Sequence, residues 1–487
     1  MTDDASAYEP TWASVERHDP VPEWLKDAKF GIYFHWGAYS APAFQSEWYP
    51  RHMHVPDTKE RAHHEAVYGD PADWPYHRFI NGGADREGRH VQFKPRLTAD
   101  GGAFDPDAWA ALFAAAGARF AGLAAEHHDG YSLWPSETNE WNSVDRGPGL
   151  DLVGLHADAI RSAGLRFMVY MHHAYHFTGY FDHVAPQTDP SLRKLYGQLD
   201  KAEHERLWVD RLKEVIDRYR PELICQDFNL DKLDEASLLE FLAYYYNHES
   251  DWGTQVATTY KDGMNDRAAM FDYERGGPAG LHEPYWLTDD SISDSSWCYT
   301  EGIGYYPVEV LVHSLVDRVA KGGTMLLNVA PTAEGVIPPE QRELLLGIGD
   351  YLARFGESVY DTRPWTVFGE GPTTMGGDNF VAPVRGTSDD LRFTRSKDGT
   401  VLYATVLDWP GTELAIPTLA AGRIDLTGLR RALLLGPAAG AAVDLPGHRQ
   451  DDTGLHLALP AAEAPFASPA YVVKLEFADR VPDLATD

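Results

Sequence analysis

The chain is poor in cysteine and in basic residues, and it has no long apolar run. Its two cysteines, Cys225 and Cys298, lie far apart in 487 residues, so they provide neither a disulfide framework nor the spacing of a metal site. Only 42 basic residues face 74 acidic ones, a net charge of −32, which disfavours nucleic acid and anionic membranes as partners. No segment reaches the roughly 18 apolar residues that span a bilayer. Because the first residues, MTDDASAYEP, lack the basic and apolar regions of a secretory signal, we expect a cytoplasmic protein.

What the sequence does contain is enough apolar material for a large core. Apolar residues make up 44% of the chain, and 487 residues suit a barrel of about 250–350 residues plus a smaller domain. Short apolar runs alternate with longer amphipathic ones, which is typical of repeated strand–helix units. This pattern predicts strands at 29–37, 120–127, 167–172, 222–228, 255–260 and 324–329, and helices at 106–116, 152–162, 202–218 and 338–353.

The sequence pattern of the chain changes near residue 372. Helical periodicity disappears, and short alternating segments such as LRFTRS, TVLYATVLDW and YVVKLEF are separated by Gly, Asp and Pro. We therefore predict an α/β protein, with a (β/α)8 barrel over residues 1–368 and a C-terminal β-sandwich over residues 369–487.

Polar side chains collect where the predicted barrel strands end, which is where such barrels carry their active sites. His35 ends the first strand, His127 and His128 end the second, Tyr170 is near the end of the third, and Asp227 ends the fourth. A hydrolytic metal site is the competing interpretation, since several possible ligands occur close together in the sequence: His127, His128, Asp129, His172, His173 and His176. No HxH pair ends the first strand, and no late-strand Asp accompanies a histidine pair, so we predict that the protein uses no metal and no cofactor.

Several segments in order resemble the α-L-fucosidases of glycoside hydrolase family 29. They cover most of residues 24–365: AKFGIYFHWGAYS, SEWY, FDPDAWAALFAAAGARF, EHHDGYSLWPS, DLVG, RYRPELICQD, MNDR, KGGTMLLNVAPTAEGVIPP and GESVYDTRPW. HWG, EWY and HHDG are weak signals alone, but their ordered combination at barrel spacing is specific. The resemblance implies an exo-acting, retaining α-L-fucosidase whose substrate is a fucosylated oligosaccharide or glycoconjugate.

A retaining glycosidase needs one carboxylate to attack the anomeric carbon and one carboxylic acid to protonate the leaving oxygen. By resemblance, Asp227 is the nucleophile, although Cys225 stands where many relatives have Trp. The family places the acid/base at different positions in different branches. One branch has a Trp-Glu dipeptide that here reads Trp286-Leu287, and another has a glutamate shortly after Asn-Asp-Arg, which favours Glu274. Glu283 is the reserve candidate.

The remaining site residues are expected to recognise the sugar, because imidazoles and carboxylates can bond its hydroxyls and aromatic rings can cover its C–H groups. The resemblance implies a pocket formed by His35, Glu47, Trp48, His127, His128, Tyr170, Arg267 and Trp286. Two other functions stay open. One is hydrolysis of a related L-sugar such as an α-L-galactoside, and the other is fucose binding by a homologue that has lost catalysis.

Overall fold

The computed structural model describes residues 7–484, and its larger part is a closed barrel of eight parallel strands. Each strand pairs with its neighbours along the chain, and the last strand pairs with the first. In chain order the barrel strands are β1 (Phe30–Phe34), β2 (Phe120–Glu126), β3 (Arg166–Met171), β4 (Leu223–Gln226), β5 (Ala257–Tyr260), β6 (Met270–Glu274), β7 (Trp286–Ser291) and β8 (Gly323–Val329). The predicted barrel is thus confirmed.

Helices surround the barrel, and aspartates begin several of them. Asp105, Asp151 and Asp200 each accept a hydrogen bond from a backbone N–H of the first helical turn, which satisfies a donor that the helix leaves free. The α-helices of the described residues are Trp12–Val15, Glu23–Ala28, Tyr49–His52, Lys59–Val67, Arg78–Asn81, Pro106–Ala115, Leu152–Ser162, His173–Thr178, Pro190–Leu195, Lys201–Tyr219, Glu235–Asn247, Glu249–Trp252, Val308–Ala320 and Pro339–Phe355. Within residues 7–484, no helix is long and apolar enough to cross a membrane.

Two apolar layers hold the barrel together. Side chains on one face of the strands fill its interior, and this inner cluster includes Phe120, Met168, Leu223, Cys225 and Leu326. Helix Glu23–Ala28 contributes to the same cluster and covers the end where the strands begin. The opposite faces pack against the surrounding helices. Because most of the strands are buried on both sides, their sequences are nearly continuous apolar runs. The polar residues at the carboxyl ends of the strands face the single open end of the barrel.

The C-terminal part is a β-sandwich of two antiparallel sheets, as predicted. The larger sheet has the order β9-β10-β11-β17-β13-β14 and the smaller β12-β16-β15. Their strands are β9 (Thr362–Glu370), β10 (Leu391–Ser396), β11 (Val401–Val406), β12 (Glu413–Ile416), β13 (Leu429–Leu435), β14 (Ala442–Asp444), β15 (Arg449–Asp451), β16 (Gly454–Ala458) and β17 (Tyr471–Phe477). Since β9 pairs with β10, the larger sheet begins at Thr362, and the expected boundary between residues 368 and 369 falls inside its first strand.

Candidate active site

A cavity of about 700 Å³ opens at the carboxyl ends of the barrel strands. Charged groups on β6 or directly after β5 line it, together with several aromatic rings. Its lining includes Glu47, Trp48, Lys261, Asp272, Glu274 and Trp297, together with Asn379 and Phe380 from the chain between β9 and β10. A concave site of this size, with apolar walls and a few convergent polar groups, suits a small-molecule substrate.

Asp227 follows directly after β4 and is almost fully buried, at 6% exposure. Its two oxygens have different partners: Oδ2 lies 3.1 Å from His128 Nε2, and Oδ1 lies 3.1 Å from Lys261 Nζ. Burial alone would raise the pKa of this carboxyl, but the Lys261 ammonium and His128 outweigh burial and hold the pKa well below its ordinary value. Asp227 is therefore an ionised, rigidly held carboxylate, as a nucleophile must be.

Lys261 is the centre of the charge network. It follows directly after β5, and besides Asp227 it contacts Glu274 Oε2 at 2.9 Å and Asp289 Oδ2 at 3.4 Å. Burial disfavours its charge, yet the surrounding carboxylates raise its pKa well above the ordinary value, so it stays cationic. Because its ammonium lies 3.1 Å from Asp227 and 2.9 Å from Glu274, the two contacting oxygens lie no more than 6.0 Å apart. Retaining glycosidases hold their carboxylates about 5–5.5 Å apart and inverting ones about 6.5–9.5 Å.

Two further carboxylates lie deeper in this network. Asp272 accepts a hydrogen bond from the Tyr170 hydroxyl at 2.9 Å, and Asp289 accepts one from the Tyr33 hydroxyl at 3.2 Å. Burial raises the pKa of Asp272 to about 7, and burial together with the neighbouring Asp272 raises the pKa of Asp289 well above its ordinary value. The raised pKa values follow from burial and from the proximity of the two carboxyls, which together disfavour two full negative charges beside one lysine.

His128 connects Asp227 to the backbone of His172, the residue directly after β3. Its Nδ1 lies 2.7 Å from the His172 carbonyl, which can only accept, and its Nε2 lies 3.1 Å from the Asp227 carboxylate. Both ring nitrogens therefore face acceptors when Asp227 is ionised, and both are satisfied only if each carries a proton. The ring is thus a second cationic partner of Asp227, and its orientation is fixed from both sides.

Three other imidazoles, His35, His127 and His172, form a buried group that we call the histidine cluster. Each offers a ring nitrogen within 4.8 Å of the other two. Burial lowers the pKa of all three, that of His35 to about 3, so the rings are neutral near pH 7. Within residues 7–484, Nδ1 of His127 and Nδ1 of His172 have no hydrogen-bond partner. Buried polar atoms are normally bonded, so these two nitrogens are available to a polar ligand.

Asn328, inside β8, fixes the protonation of His35. Its Oδ1 accepts from the His35 backbone N–H at 3.0 Å, and its Nδ2 donates to the Trp297 carbonyl at 2.7 Å, which determines the orientation of the amide. Since Oδ1 also lies 2.9 Å from His35 Nδ1, that nitrogen carries the proton. The other nitrogen of the neutral ring is then an acceptor, suited to a hydroxyl. Neutral imidazoles are also metal ligands, so the histidine cluster is the group that could hold a divalent ion such as zinc.

Comparisons with known proteins identify the family to which the chain belongs. A family model described as Alpha-L-fucosidase matches residues 1–357. The chain belongs to the α-L-fucosidase family. It is 31% identical over 454 residues to the tissue α-L-fucosidase of Rattus norvegicus, which spans 90% of this chain and 88% of that relative. It also superposes with a TM-score of 0.75 on the α-fucosidase of Thermotoga maritima in complex with fucose, at 27% identity, covering 96% of this chain and 100% of the other. Membership of this glycoside hydrolase family, predicted from the ordered motifs, is confirmed.

Two of the residues that the family resemblance implied, Glu47 and Trp48, line the cavity. The Glu47 carboxylate accepts hydrogen bonds from the Trp297 backbone N–H at 3.0 Å and from the Ser296 hydroxyl at 3.3 Å. Burial raises its pKa above the ordinary value. Its loop, which follows β1, is thereby tied to the loop after β7, and the rings of Trp48 and Trp297 stand on the cavity wall.

The structure corrects three of the implied positions. The Arg267 side chain is 76% exposed and pairs with Glu16 outside the cavity, because its segment turns away before β6 begins. Trp286 opens β7 beside Gly323, the first residue of β8, so its ring lies at the end of the barrel opposite the cavity. Tyr170 is not part of the cavity lining: its ring is buried in the barrel interior, and its hydroxyl donates to Asp272, which does line the cavity.

The position of Glu283 relative to β7 also argues against this residue as the acid/base. Glu283 precedes β7 by three residues and is exposed, so it also lies at the end where the strands begin. Asp272 and Glu274 both lie inside β6. Glu274 lines the cavity with an 18% exposed side chain, which makes it the most accessible of the carboxylates around Lys261.

Sequence reasoning missed Lys261, Asp289, Asn328 and Trp297. For Lys261 the signal was present, because it follows the predicted strand at 255–260 as directly as Asp227 follows its own. Asn328 lies within a correctly predicted strand, where a polar residue could have been marked as facing the site. Asp289 could not be placed, because β7 was not predicted as a strand.

Proposed function

We propose that the protein releases terminal α-L-fucose by double displacement, with Asp227 as nucleophile and Glu274 as acid/base. The observation that carries this proposal is the shared contact with Lys261, which keeps the nearest oxygens of the two carboxylates within 6.0 Å. That spacing suits direct attack by one carboxylate and is shorter than the about 6.5–9.5 Å by which inverting enzymes separate their carboxyl groups.

In the first step, an Asp227 oxygen attacks the anomeric carbon and the bond to the leaving oxygen breaks. Glu274 gives its proton to that oxygen, and Asp227 becomes a neutral ester. In the second step, Glu274 takes a proton from water, the water oxygen attacks the anomeric carbon, and Asp227 leaves as a carboxylate. Asp227 loses its charge as Glu274 gains one, and Lys261 lies within 3.1 Å of both, so the local charge is conserved.

Accessibility supports Glu274 as the proton donor. The side chains of Asp227 and Asp289 are 7% and 4% exposed, whereas that of Glu274 is 18% exposed and forms part of the cavity wall. A leaving group departs toward solvent, and its acid must reach it from the mouth of the site. The histidine cluster carries two ring nitrogens that are unpaired within the described part of the chain, and its His35 ring lies 5.5 Å from the ring of Trp297 on the cavity wall, so the cluster is suited to hold the sugar hydroxyls.

An NMR time course of product formation tests the proposal. With an aryl α-L-fucoside, the first fucose released should be the α-anomer, and β-fucose should grow in only by mutarotation. Early β-fucose would contradict the double displacement. Faster turnover of an α-L-galactoside would instead identify the related L-sugar as substrate, and binding of fucose without any turnover would identify a homologue that has lost catalysis.

A further inference from the structure

The most exposed aromatic side chain at the cavity belongs to the C-terminal part of the chain. Phe380 is 69% exposed, in the segment between β9 and β10, and it lines the cavity together with Phe271 and Trp297. These three rings give the polar cavity an apolar part of its wall, as is usual in sites that bind small molecules. Neither step proposed for the barrel residues uses this ring.

The segment that carries Phe380, residues 376–380, is fastened to the strand that carries Glu274. The Phe380 N–H donates to the Glu274 carbonyl at 2.7 Å, and the Glu274 N–H donates to Asn379 Oδ1 at 2.9 Å. A third bond joins the same two segments: the Gly277 N–H donates to the Asp378 carbonyl at 3.2 Å. Phe380 is therefore held at a fixed position relative to the proposed acid/base.

The close approach of the two segments has a local requirement. A Cβ at Gly276 would lie 1.9 Å from the Asp378 carbonyl oxygen, so only glycine fits beside the segment. Phe380 itself has a φ of 58°, in the left-handed region that bulky residues rarely adopt. Such conformations persist where surrounding bonds enforce them, and they concentrate at functional sites.

We propose that segment 376–380 forms the leaving-group subsite, where the Phe380 ring stacks on the pyranose to which fucose is attached. This inference rests on the proposed fucosidase activity. An aromatic ring offers a flat apolar surface to the C–H face of a pyranose, and the polar side chains of Asp294 and Ser295 on the same cavity wall suit its hydroxyls. Because Phe380 and Glu274 share backbone hydrogen bonds, a sugar stacked on the ring lies beside the group that protonates its oxygen.

The test compares substrates that differ only in the leaving group. Phe380→Ala should lower kcat/KM for a fucosyl disaccharide about tenfold, equivalent to about 1.4 kcal/mol, because the ring contact is lost in the transition state. The same variant should leave kcat/KM for α-L-fucosyl fluoride within about twofold, because fluoride is too small to reach the ring. Phe380→Trp should restore most of the activity on the disaccharide.

A matched control is Val443→Ala, which removes another exposed apolar side chain, 47% exposed, from β14. This variant should leave kcat/KM unchanged for both substrates, and thermal unfolding should show that both alanine variants are folded.

An equal loss of kcat/KM on both substrates in Phe380→Ala would overturn the subsite and make Phe380 a support for Glu274. A loss on neither substrate would also overturn it. A wild-type protein that cleaves neither substrate would overturn the proposed function and the subsite with it, whereas a wild-type protein that cleaves both, with Phe380→Ala unchanged, would overturn the subsite alone.

Discussion

Replacing Lys261 with methionine removes the cation that three carboxylates share while keeping the length of the side chain. At 3.1 Å and an effective dielectric constant of about 20, Coulomb's law gives about 5 kcal/mol for the pair of Lys261 with Asp227. Solvent relaxation and the remaining His128 contact reduce this, and opposite charges at such distances typically shift a carboxyl pKa by about 1–3 units. Asp227 must be ionised to attack, so a raised pKa moves the acidic limb of the pH–kcat/KM profile upward by about 1–3 pH units.

Lys261→Met should also lower the free energy of unfolding, because removing one partner from a buried ion pair costs about 3–5 kcal/mol. Lys321→Met supplies the control. Lys321 is 1% exposed and pairs with Asp317 at 2.7 Å, next to the start of β8 and away from the cavity. It should lose comparable stability in urea unfolding and leave the acidic limb unmoved. An unshifted limb in Lys261→Met, or an equal shift in both variants, would refute the role given to Lys261.

Four further results are expected. Asp227→Ala should reduce turnover of every fucoside by several orders of magnitude, and azide should rescue it with β-L-fucosyl azide as product, whereas α-azide would mean that Asp227 is not the nucleophile. Glu274→Ala should slow hydrolysis of a natural oligosaccharide by about 10²–10⁴-fold, and hydrolysis of an activated aryl fucoside far less. Azide should give the retained product with this variant. Equal effects on both substrates would assign the acid to another residue, first to Asp272. In the wild type, a folded pKa of about 7 for Asp272 contributes stability that is complete below the unfolded pKa of 3.8 and is lost as pH passes 7. Asn cannot ionise, so the free energy of unfolding of Asp272→Asn relative to the wild type should be about 3 kcal/mol higher at pH 8 than at pH 5. A constant difference between the two proteins in urea unfolding at these pH values would contradict this. Dialysis against a chelator should leave activity unchanged, and a loss that zinc reverses would show that the histidine cluster holds a metal.

The barrel could be predicted from sequence where its strands are apolar on both faces. The runs ending at His35, Asp227 and Tyr260 were recognisable for this reason. Strands β6 and β7 were not, because their sequences FDYE and TDDS carry acidic residues that resemble a loop. Their partners come from elsewhere in the chain: Tyr170 donates to Asp272, Tyr33 and Lys261 contact Asp289, and Arg318 pairs with Asp290. No local pattern records these contacts.

The site residues likewise fall into those that the local sequence could place and those that it could not. A carboxylate or imidazole directly after an apolar strand, such as Asp227 or His128, was placed correctly because strand polarity alone brings it to the open end. Arg267 and Trp286 were assigned through short motifs, and the motif does not specify where the chain turns between strands. Phe380 lies more than 100 residues from Glu274 in sequence, and its contact depends on how the sandwich packs against the barrel.

The central claim is that Asp227 becomes covalently bound to the sugar. A 2-deoxy-2-fluoro-α-L-fucosyl fluoride slows the second step more than the first and should accumulate the intermediate, which proteolysis and mass spectrometry can locate. We expect one fluorofucosyl group per chain, on the peptide that contains Asp227, with activity returning as the ester hydrolyses. A label on Glu274 or Asp272, or inactivation without any label on the Asp227 peptide, would contradict the account.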